Sequence, residues 1–559
     1  MDEVAGAHLA IPTGPSAHVD TYVRDNLPPV VDWPQLDYST LHTLASYPAH
    51  INAAVELLDR HVREGRGARP AIWFERQTIT YADLLVRANR LARVLAEDLA
   101  VVPGNRVLLR GFTSPSMVIA WLAVLKVGAV VVTTMPLLRA RELAEVIDKA
   151  RVGVALCDGR LVEELRLAEQ RLSEVPDAPR PRTVLFGPEA GADSLESMMA
   201  TKPDDFPNVA TAADDACLIA FTSGTTGKPK GAVHFHRDVL AICDTFGAEV
   251  LKPSADDVFA GSPPLAFTYG LGGLLTFPFR VGAATALIEQ VSPQALLQTV
   301  QDAQVTTLFS SPTMYRSLVD LVPQFDLSRL KDCVSAGEPL PLPTFRAWER
   351  ATGLQIIDGL GSTELLHIFI TAARDDIVPG ATGKVVPGYE ARVVDDQGNP
   401  LPPGEVGLLA VRGPTGCRYL NDPERQRGYV RGGWNYTGDA YTQDERGYFW
   451  FQSRADDMII SAGYNIAGIE IESVLLDHPK VKECGVVGAP DPARGNIVKA
   501  FVVLRDPSGA GTEMVRELQD YVKRQIAPYK YPRAIEFVAQ LPRTETGKLQ
   551  RYKLRLGAS

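Results

Sequence analysis

Short apolar runs alternate with amphipathic segments through the first half of this chain, and this alternation limits the fold more than any other feature of the sequence. Apolar runs of four or five residues are typical of strands buried on both faces, and longer segments with one apolar face are typical of helices. The predicted strands span residues 106–110, 154–157, 183–186 and 306–309, and the predicted helices include 141–149 and 293–303. We therefore expect an α/β fold with parallel-rich sheets covered by helices.

One longer apolar stretch, residues 117–135, approaches the length of a membrane span. Lys126 and Gly128 interrupt it, and its character changes at that point. Residues 118–125 suit a buried helix, and residues 130–133 suit a buried strand. The stretch is predicted to be a helix followed by a strand, and no membrane partner is expected.

The second half of the chain has a different pattern. Beyond residue 380, glycine turns separate short strands, which predicts an antiparallel or barrel-like β subdomain. From Asp456 onward, a helix at 469–477 and strands at 483–487 and 499–503 predict a small α+β domain. Since 559 residues exceed what one hydrophobic core serves, two or more domains are expected.

Charge and cysteine spacing argue against several classes of function. The formal charge is -10, and nucleic acids and anionic membranes bind clustered basic surface, so neither is an expected partner. The six cysteines show no CxxC spacing, which argues against a zinc cluster or a disulfide framework. The first residues lack the features of a secretion signal, so the expected compartment is the cytoplasm.

A loop rich in hydroxyls, glycines and lysines, residues 221–231, directly follows the apolar run 216–220. Glycines let the backbone approach an anion, and hydroxyls, amides and lysines bind it, so a nucleoside triphosphate is the expected ligand. The loop is not a Walker A motif, because Pro229 stands where that motif needs a Ser or Thr for magnesium. A flexible surface linker is the remaining alternative, but such linkers seldom place two lysines around a proline after a buried strand.

Four further motifs follow this loop. They are GSTE at 361–364, YTGD at 436–439, SRADD at 453–457 and LPRTETGK at 541–548. Together with the loop, they resemble the signature motifs of the acyl-adenylate-forming superfamily, which includes acyl-CoA synthetases, stand-alone adenylation domains and luciferases. The chain is identified as a member of this superfamily over nearly its whole length.

The resemblance implies a large N-terminal domain at 1–455, with a barrel-like subdomain, and a small mobile C-terminal lid at 456–559. It also implies ATP, Mg²⁺ and coenzyme A as cofactors and a small-molecule carboxylic acid as substrate. The residues expected to bind ATP or AMP are Thr222, Ser223, Gly224, Thr225, Thr226, Gly227, Lys228, Lys230, Gly337, Glu338, Pro339, Gly359, Gly361, Ser362, Asp439 and Arg454.

Carboxylate activation joins an acid oxygen to the α-phosphate of ATP while pyrophosphate leaves, so the phosphates need positive charge around them. By resemblance, Lys548 bridges the carboxylate and phosphate oxygens, Thr363 contacts the α-phosphate, and Glu364 binds magnesium. Asp456 matches the hinge of the lid. Rotation about it withdraws Lys548 and brings Gly463 and Tyr464 to the coenzyme A tunnel.

The segment 263–273 departs from the common pattern of the superfamily, in which a histidine often stands at the place of Phe267. Its aromatic residues and glycines suit a flat, short slot for an aryl ring. This segment and residues 359–369 resemble the benzoate and 2-aminobenzoate CoA ligase branch. Because an added Thr268 hydroxyl can bind an ortho amino group, 2-aminobenzoate is favoured over benzoate. The expected acid pocket consists of Phe267, Thr268, Tyr269, Gly270, Ala336, Gly361 and His367.

Alternatives to an aryl-CoA ligase stay open. The acceptor is a carrier protein's pantetheine in stand-alone adenylation enzymes, and other acyl-CoA synthetases use other acids. A regulator without catalysis is a third alternative, suggested by Ser453, Ile460 and Asn496 where relatives often carry Gly, Lys and Glu, and opposed by the motif residues that are retained. A monomer and a homodimer are both compatible with the sequence.

Overall fold

The structure is a computed structural model that describes residues 14–222, 229–454, 457, 459–461, 464–491, 495–526, 530–543 and 549–557, with residues 460, 464, 465 and 495 described by their backbone. The strands are β1 Pro70–Phe74, β2 Gln77–Thr80, β3 Arg106–Arg110, β4 Val130–Thr134, β5 Val154–Asp158, β6 Arg182–Phe186, β7 Ala216–Thr222, β8 Lys230–Phe235, β9 Val258–Gly261, β10 Ala284–Ala286, β11 Thr307–Ser310, β12 Asp332–Ala336, β13 Ile356–Gly361, β14 Ile368–Thr371, β15 Lys384–Val385, β16 Glu390–Val394, β17 Gly407–Arg412, β18 Val430–Arg431, β19 Trp434–Gln443, β20 Phe449–Arg454, β21 Ile459–Ser461, β22 Tyr464–Ile466, β23 Val481–Asp491, β24 Gly495–Leu504 and β25 Ala534–Phe537.

The described residues also form α-helices. They are α1 Tyr22–Asp25, α2 His42–Ala45, α3 Arg60–Arg63, α4 Tyr81–Arg93, α5 Pro115–Lys126, α6 Ala140–Ala150, α7 Val162–Ser173, α8 Leu195–Ala200, α9 His236–Ile242, α10 Thr268–Leu271, α11 Phe277–Val281, α12 Pro293–Asp302, α13 Pro312–Leu318, α14 Leu342–Thr352, α15 Pro423–Tyr429, α16 Gly468–Asp477, α17 Thr512–Gln525 and α18 Arg551–Leu556.

Two large sheets form the N-terminal domain. Within the described residues, one has the strand order β6-β5-β3-β4-β7-β8 and the other β15-β14-β13-β12-β11-β9-β10-β1-β2. The central strands of both are parallel, while β7–β8, β13–β14–β15 and β1–β2 pair antiparallel. Parallel strands must be covered on both faces. Strands β3, β4 and β5 are accordingly buried along their whole length.

The apolar stretch around Lys126 forms α5 and then β4, which confirms the predicted helix and strand. Pro115 stands at the start of α5, where a missing N–H costs nothing. Lys126 ends the helix and, although buried, its Nζ lies 2.6 Å from Asp59 Oδ2. In the part of the chain that the structure describes, no helix combines the length and the apolar character needed to cross a membrane.

An antiparallel sheet with the order β16-β17-β19-β18, with β20 paired to β19, forms the predicted barrel-like subdomain. The C-terminal residues build a smaller unit in which β23, β24 and β25 form a sheet covered by α16 and α17. This unit has its own apolar cluster, which includes Ile471, Leu475, Val486, Val502 and Leu518. The α/β class with a large N-terminal and a small C-terminal domain is therefore confirmed.

Most predicted elements differ from the observed ones by a residue or two at their ends. The largest difference is β23, which extends from Val481 to Asp491 where a strand at 483–487 was predicted. It pairs antiparallel with β24 along its length, and that pairing is set by a segment remote from the local pattern. All six cysteines are free and buried.

Candidate active site

A cavity of about 560 Å³ lies at the carboxyl ends of parallel strands from both large sheets. The loops that follow such strands converge at one edge, which is where open α/β sheets bind ligands. Residues at the ends of six strands line this cavity. They are Gly111 after β3, Met135 after β4, Ser262 after β9, Ser311 after β11, Ala336 in β12 and Gly361 in β13.

The cavity joins the two parts of the site that the sequence predicts separately. Residues predicted for the acid pocket and residues predicted for the nucleotide site line the same cavity. The predicted residues that line it are Phe267, Thr268, Tyr269, Ala336, Gly337, Glu338, Gly361, Ser362, Thr363 and His367.

Tyr269 forms one wall of the slot with its ring and not with its hydroxyl. The Tyr269 hydroxyl donates hydrogen bonds to the carbonyl of Ser310, at 3.1 Å, and to that of Val334, at 3.0 Å. Its ring centroid lies 5.7 Å from that of His367 and 5.6 Å from that of Phe309. Because β11 and β12 hold the hydroxyl, the ring has a fixed orientation against the ligand space.

His367 lies among aromatic rings at the inner end of the slot. Its ring meets Phe277 edge-on, with centroids 4.6 Å apart, and stacks on Phe246 at 5.5 Å. Burial lowers the pKa of His367 to about 3, so the imidazole is neutral near neutral pH. Within the described residues, its Nδ1 is buried without a hydrogen-bond partner. At His367 the cavity wall is therefore built mainly of aromatic ring surfaces.

Two glycines let the backbone come close to the site. Gly337 follows β12 with a φ of +91°, which disfavours other residues. A Cβ on Gly361 would lie 2.7 Å from the carbonyl oxygen of His367, so a side chain there would push β13 away. Both glycines line the cavity, and at Gly361 the missing Cβ lets β13 lie close to the His367 backbone.

Gly270 lies outside the cavity lining. A Cβ there would lie 2.1 Å from the carbonyl oxygen of Pro264, so the glycine lets α10 pack against the preceding turn. Gly359 and Pro339 also lie outside the lining, and a Cβ on Gly359 would meet Ile368 Cδ1 at 2.5 Å. None of these three residues therefore contributes to the surface of the cavity.

Two residues that do not line the cavity, His234 and Tyr419, form hydrogen bonds with Thr363 and Glu364. His234 Nε2 lies 2.8 Å from the carbonyl oxygen of Thr363. The Tyr419 hydroxyl donates to Glu364 Oε1 at 2.6 Å. Burial, with the Glu364 carboxylate nearby, raises the pKa of Tyr419, so its phenol stays protonated and donates.

The base of the glycine-rich loop is described, and its tip is not. Thr222 ends β7 and Lys230 begins β8, and the two pair across this antiparallel ladder. Residues 223–228, which carry most of the predicted phosphate contacts, lie outside the described residues. Lys230 Nζ lies 5.7 Å from the ring centroid of Tyr419, so the end of the loop lies beside the residue that contacts Glu364.

Asp439 and Arg454 face each other on neighbouring strands. They pair in the register of β19 and β20, and Arg454 Nη1 donates to Asp439 Oδ1 at 2.8 Å and to the carbonyl oxygen of Thr437 at 3.1 Å. Gly438 has a φ of +77°, and a Cβ there would lie 2.9 Å from Arg454 Nη2. The YTGD and SRADD motifs thus lie next to each other. Neither Asp439 nor Arg454 lines the cavity.

Several predicted residues of the C-terminal half lie outside the described residues. They are Lys548, Asp456 and Gly463, and for Tyr464 the backbone alone is described, in β22. The chain just before 544–548 is described. Arg543 Nη1 donates to Thr313 Oγ1 at 3.2 Å, and Thr313 lines the cavity, so this segment starts at the cavity rim.

Sequence reasoning missed His234 and Tyr419, as well as the outer cavity wall of Phe112, Thr113, Pro136, Leu137 and Glu289. His234 had a detectable signal, since a histidine inside the apolar run of β8 must find a buried partner. Tyr419 and the outer wall had none. They reach the site from remote parts of the chain by tertiary packing.

Comparisons with known proteins agree with this geometry. The family model of the AMP-binding enzyme matches residues 58–419, and that of the AMP-binding enzyme C-terminal domain matches residues 470–548. The chain belongs to the AMP-binding enzyme family. This confirms the prediction that the chain belongs to the acyl-adenylate-forming superfamily, which includes the acyl-CoA synthetases.

Curated members of the AMP-binding family are similar over most of the chain. The benzoate–CoA ligase of Thauera aromatica is 35% identical over 525 residues, which cover 93% of this chain and 98% of that protein. The mitochondrial acyl-coenzyme A synthetase ACSM3 of Mus musculus is 32% identical over 528 residues, covering 91% and 90%.

Solved structures of AMP-binding enzymes share the fold. The anthranilate CoA ligase AuaEII in complex with anthranoyl-AMP has a TM-score of 0.86 and 34% identity, covering 92% of this chain and 98% of that one. A benzoate CoA ligase from Burkholderia xenovorans LB400 has a TM-score of 0.82 and 32% identity, covering 90% and 100%. The match extends through both domains.

Proposed function

We propose that this protein is an AMP-forming aryl-acid–CoA ligase. In the first half-reaction, a carboxylate oxygen bonds to the α-phosphorus of ATP, and the bond from that phosphorus to the bridging oxygen breaks, so pyrophosphate leaves with the electron pair. In the second, the thiol sulfur of coenzyme A bonds to the acyl carbon, its proton is lost, and AMP leaves. The product is an aryl-CoA thioester.

The observation that carries the proposal is the shared cavity, in which an aromatic slot opens on Thr363. Tyr269 and His367 contribute ring surfaces to the cavity wall, and the small residues Ala336 and Gly361 also line it. Apolar walls with few polar atoms suit an aryl ring whose carboxylate points away from them. The carboxylate would then lie toward Gly337 and Thr363, where the nucleotide residues begin.

A phenyl ring bearing an ortho amino group is the acid we favour. Thr268 is buried in the cavity wall at the start of α10, and its hydroxyl can hydrogen-bond an amino group. The structurally similar anthranilate CoA ligase is in complex with anthranoyl-AMP, and two other similar proteins are benzoate CoA ligases. These names give the two acids between which the Thr268 contact would discriminate.

The residues on the nucleotide side fit a magnesium-bound triphosphate. Mg²⁺ is usually held by one or two carboxylates and the substrate's phosphates. Tyr419 hydrogen-bonds Glu364 at Oε1, which leaves Oε2 to bind the metal, and the Thr363 hydroxyl suits a phosphate contact. When bound, the metal would neutralise phosphate charge during displacement. Asp439 would accept hydrogen bonds from the ribose hydroxyls, and Arg454 fixes its carboxylate.

Lys548 and the hinge at Asp456 complete the proposal by resemblance. The lysine would bridge the acid and phosphate oxygens during adenylation, and a rotation of residues 456–559 would replace it with the segment of Gly463 and Tyr464. Arg543, five residues before Lys548, contacts Thr313 at the cavity rim, which supports an arrangement suited to adenylation.

The test is acid-dependent AMP formation from ATP with coenzyme A across benzoate, 2-aminobenzoate, 2-hydroxybenzoate, 4-hydroxycinnamate and octanoate. The thioester is identified by mass. We expect the highest kcat/KM with 2-aminobenzoate and the next with benzoate. Preference for octanoate or 4-hydroxycinnamate would refute the aryl slot.

The same assay separates the acceptors. Formation of acyl-AMP without an acyl-CoA product would point to a carrier protein's pantetheine in place of free coenzyme A. Lys548→Ala is the matched catalytic control. It should slow adenylation by orders of magnitude, as expected when a transition-state charge contact is removed.

A further inference from the structure

We propose that His234 and Tyr419 are positioning residues that hold the Thr363–Glu364 pair in the orientation needed to bind magnesium-ATP. His234 would act through the Thr363 backbone, and Tyr419 through the Glu364 carboxylate. The inference rests on the proposed function in that it assigns the pair to magnesium-ATP. It goes further, since neither residue belongs to the five sequence motifs.

Neither His234 nor Tyr419 lines the cavity, yet each contacts one member of the pair. His234 Nε2 lies 2.8 Å from the Thr363 carbonyl oxygen, and the Tyr419 hydroxyl donates to Glu364 Oε1 at 2.6 Å. His234 is 0% exposed and Tyr419 is 1% exposed, so water cannot replace either contact easily. A hydrogen bond to a carboxylate is stronger than one between neutral groups and restricts its direction.

A single buried ion pair anchors both residues. Arg418 Nη2 contacts Asp238 Oδ2, and both side chains are fully buried. Arg418 directly precedes Tyr419, and Asp238 Oδ2 accepts the backbone N–H of Phe235, which directly follows His234, at 2.9 Å. The pair therefore fixes the backbone next to each positioning residue. Breaking a buried pair of this kind is costly, because it leaves an uncompensated charge.

Backbone pairing joins the two segments as well. The Val233 N–H donates to the Arg418 carbonyl at 2.8 Å, and Ala232 bridges to Tyr419 in antiparallel fashion. The segment that carries His234 is β8, the strand that leaves the phosphate loop. The paired segments thus continue from the base of the loop and contact both Thr363 and Glu364, so they connect two distant motifs, the loop and GSTE.

His234 keeps its donor role without a change of charge. Burial lowers the pKa of His234 to about 4, although the Asp238 carboxylate opposes this shift, and the Arg418 charge lowers the pKa further. The ring is therefore neutral at physiological pH. Because its partner is a carbonyl oxygen, Nε2 must carry the proton. A side chain with an N–H at the same place should therefore replace it, and an apolar one should not.

The experiment uses the full-length protein and magnesium-ATP as the probe. Tyr419→Phe, His234→Leu and His234→Gln are compared with the wild type by calorimetric titration with ATP at several Mg²⁺ concentrations. Tyr81→Phe is the matched control, because that tyrosine is also fully buried and donates a single hydrogen bond, to the carbonyl of Ala283 at 2.7 Å. Thermal midpoints are measured for all variants.

We expect Tyr419→Phe to weaken magnesium-ATP binding about tenfold, the scale of a hydrogen bond to a charged group, and to raise the Mg²⁺ concentration needed for half-maximal binding. The KM of the acid should stay within about twofold, because Tyr419 lies outside the slot. Tyr81→Phe should bind magnesium-ATP like the wild type. His234→Gln should retain most of the affinity that His234→Leu loses.

Unchanged magnesium-ATP affinity in Tyr419→Phe would overturn the proposal for Tyr419. Equal affinity losses in His234→Gln and His234→Leu would overturn it for His234. A loss in Tyr81→Phe as large as in Tyr419→Phe would show a general stability effect and overturn both. The titration needs no acid, so a wild type that activates none of the tested acids would refute the proposed function and leave this test intact.

Discussion

Arg543 of the C-terminal domain faces Glu338 of the N-terminal domain, with Nη1 3.7 Å from Oε2. Its other nitrogen, Nη2, donates to Glu483 Oε2 of its own domain at 2.8 Å. Glu338 lines the cavity, and its Oε1 accepts the backbone N–H of Thr313 at 3.2 Å. Arg543 thus bridges a carboxylate from each domain, just before the segment that ends in Lys548.

Arg543→Ala should slow adenylation about tenfold, a loss of about 1.4 kcal/mol of transition-state stabilisation, because the lid loses a contact that sets its orientation at the cavity. Thioester formation from supplied aryl-AMP should be nearly unchanged. The two half-reactions are measured by pyrophosphate exchange and by aryl-CoA formation. Arg446→Ala, which removes an exposed arginine paired with Asp444, is the control. Equal loss in both half-reactions would contradict a role in orientation.

Asp439→Asn should weaken ATP binding about tenfold, because an amide is a poorer acceptor for ribose hydroxyls than a carboxylate. It should change the free energy of unfolding by less than about 1 kcal/mol, since the Arg454 side chain of the pair is 45% exposed. Equilibrium titration with ATP and urea unfolding give the two quantities. A loss of stability without loss of ATP affinity would assign the pair to the fold instead of the ligand.

Thr268→Val should lower kcat/KM for 2-aminobenzoate about tenfold and leave that for benzoate within about twofold. Valine keeps the shape of threonine and removes the hydroxyl, so only an acid that uses the hydroxyl should be affected. Parallel kinetics with both acids make the comparison. Equal changes for the two acids would mean that Thr268 packs against the ring without reading its substituent.

His367→Phe should alter the pH dependence of stability in a defined direction. The folded-state pKa of His367 is about 3, lowered by burial, against an ordinary value of 6.5. Between these values the unfolded chain binds more protons, so stability falls as pH falls. The variant lacks this group, and its unfolding free energy should decline less steeply from pH 6.5 toward pH 4. Urea unfolding at several pH values measures this, and parallel curves would contradict it.

Asp358→Asn should stabilise the protein at alkaline pH more than at acid pH. Burial raises the pKa of Asp358 to about 8, although the Gly359 N–H partly offsets it. Between pH 3.8 and 8 the folded state holds more protons than the unfolded state, so this group's contribution to stability is lost as pH rises.

The advantage of Asp358→Asn over the wild type should therefore grow between pH 5 and pH 8. One pKa unit corresponds to about 1.4 kcal/mol, which denaturant titration resolves. Asp376→Asn, a change at an exposed carboxylate, is the matched control. An advantage that is constant with pH would show that Asp358 is already ionised at pH 5.

Local patterns were sufficient where periodicity and buried position coincide. The change of character at Lys126 predicted α5 and β4, because a buried helix and a buried strand place their apolar residues differently. The ends of strands were less well predicted. β23 extends to Asp491 because β24 pairs with it there, and the partner is not visible in the local sequence.

The candidate site divides in the same way. Thr363, Glu364, Asp439 and Arg454 lie in motifs whose resemblance to those of the acyl-adenylate-forming superfamily predicts nucleotide binding. The shape of the acid slot depends on where Tyr269 and His367 point. Tyr269 is an example. The sequence does not show whether its hydroxyl faces a ligand, and in the structure the hydroxyl is hydrogen-bonded to two strand carbonyls.

The sequence by itself determined the α/β class, through its alternation of apolar runs, and the order of the motifs that resemble the acyl-adenylate-forming superfamily. The roles of the motif residues are what that resemblance predicts. Tertiary structure alone decided that strand ends of two sheets enclose one cavity and that His234, Tyr419 and Arg543 reach Thr363, Glu364 and Glu338. The physical reason is range. Backbone patterns are set by neighbours a few residues apart, whereas these contacts join segments tens to hundreds of residues apart through the packing of buried surfaces.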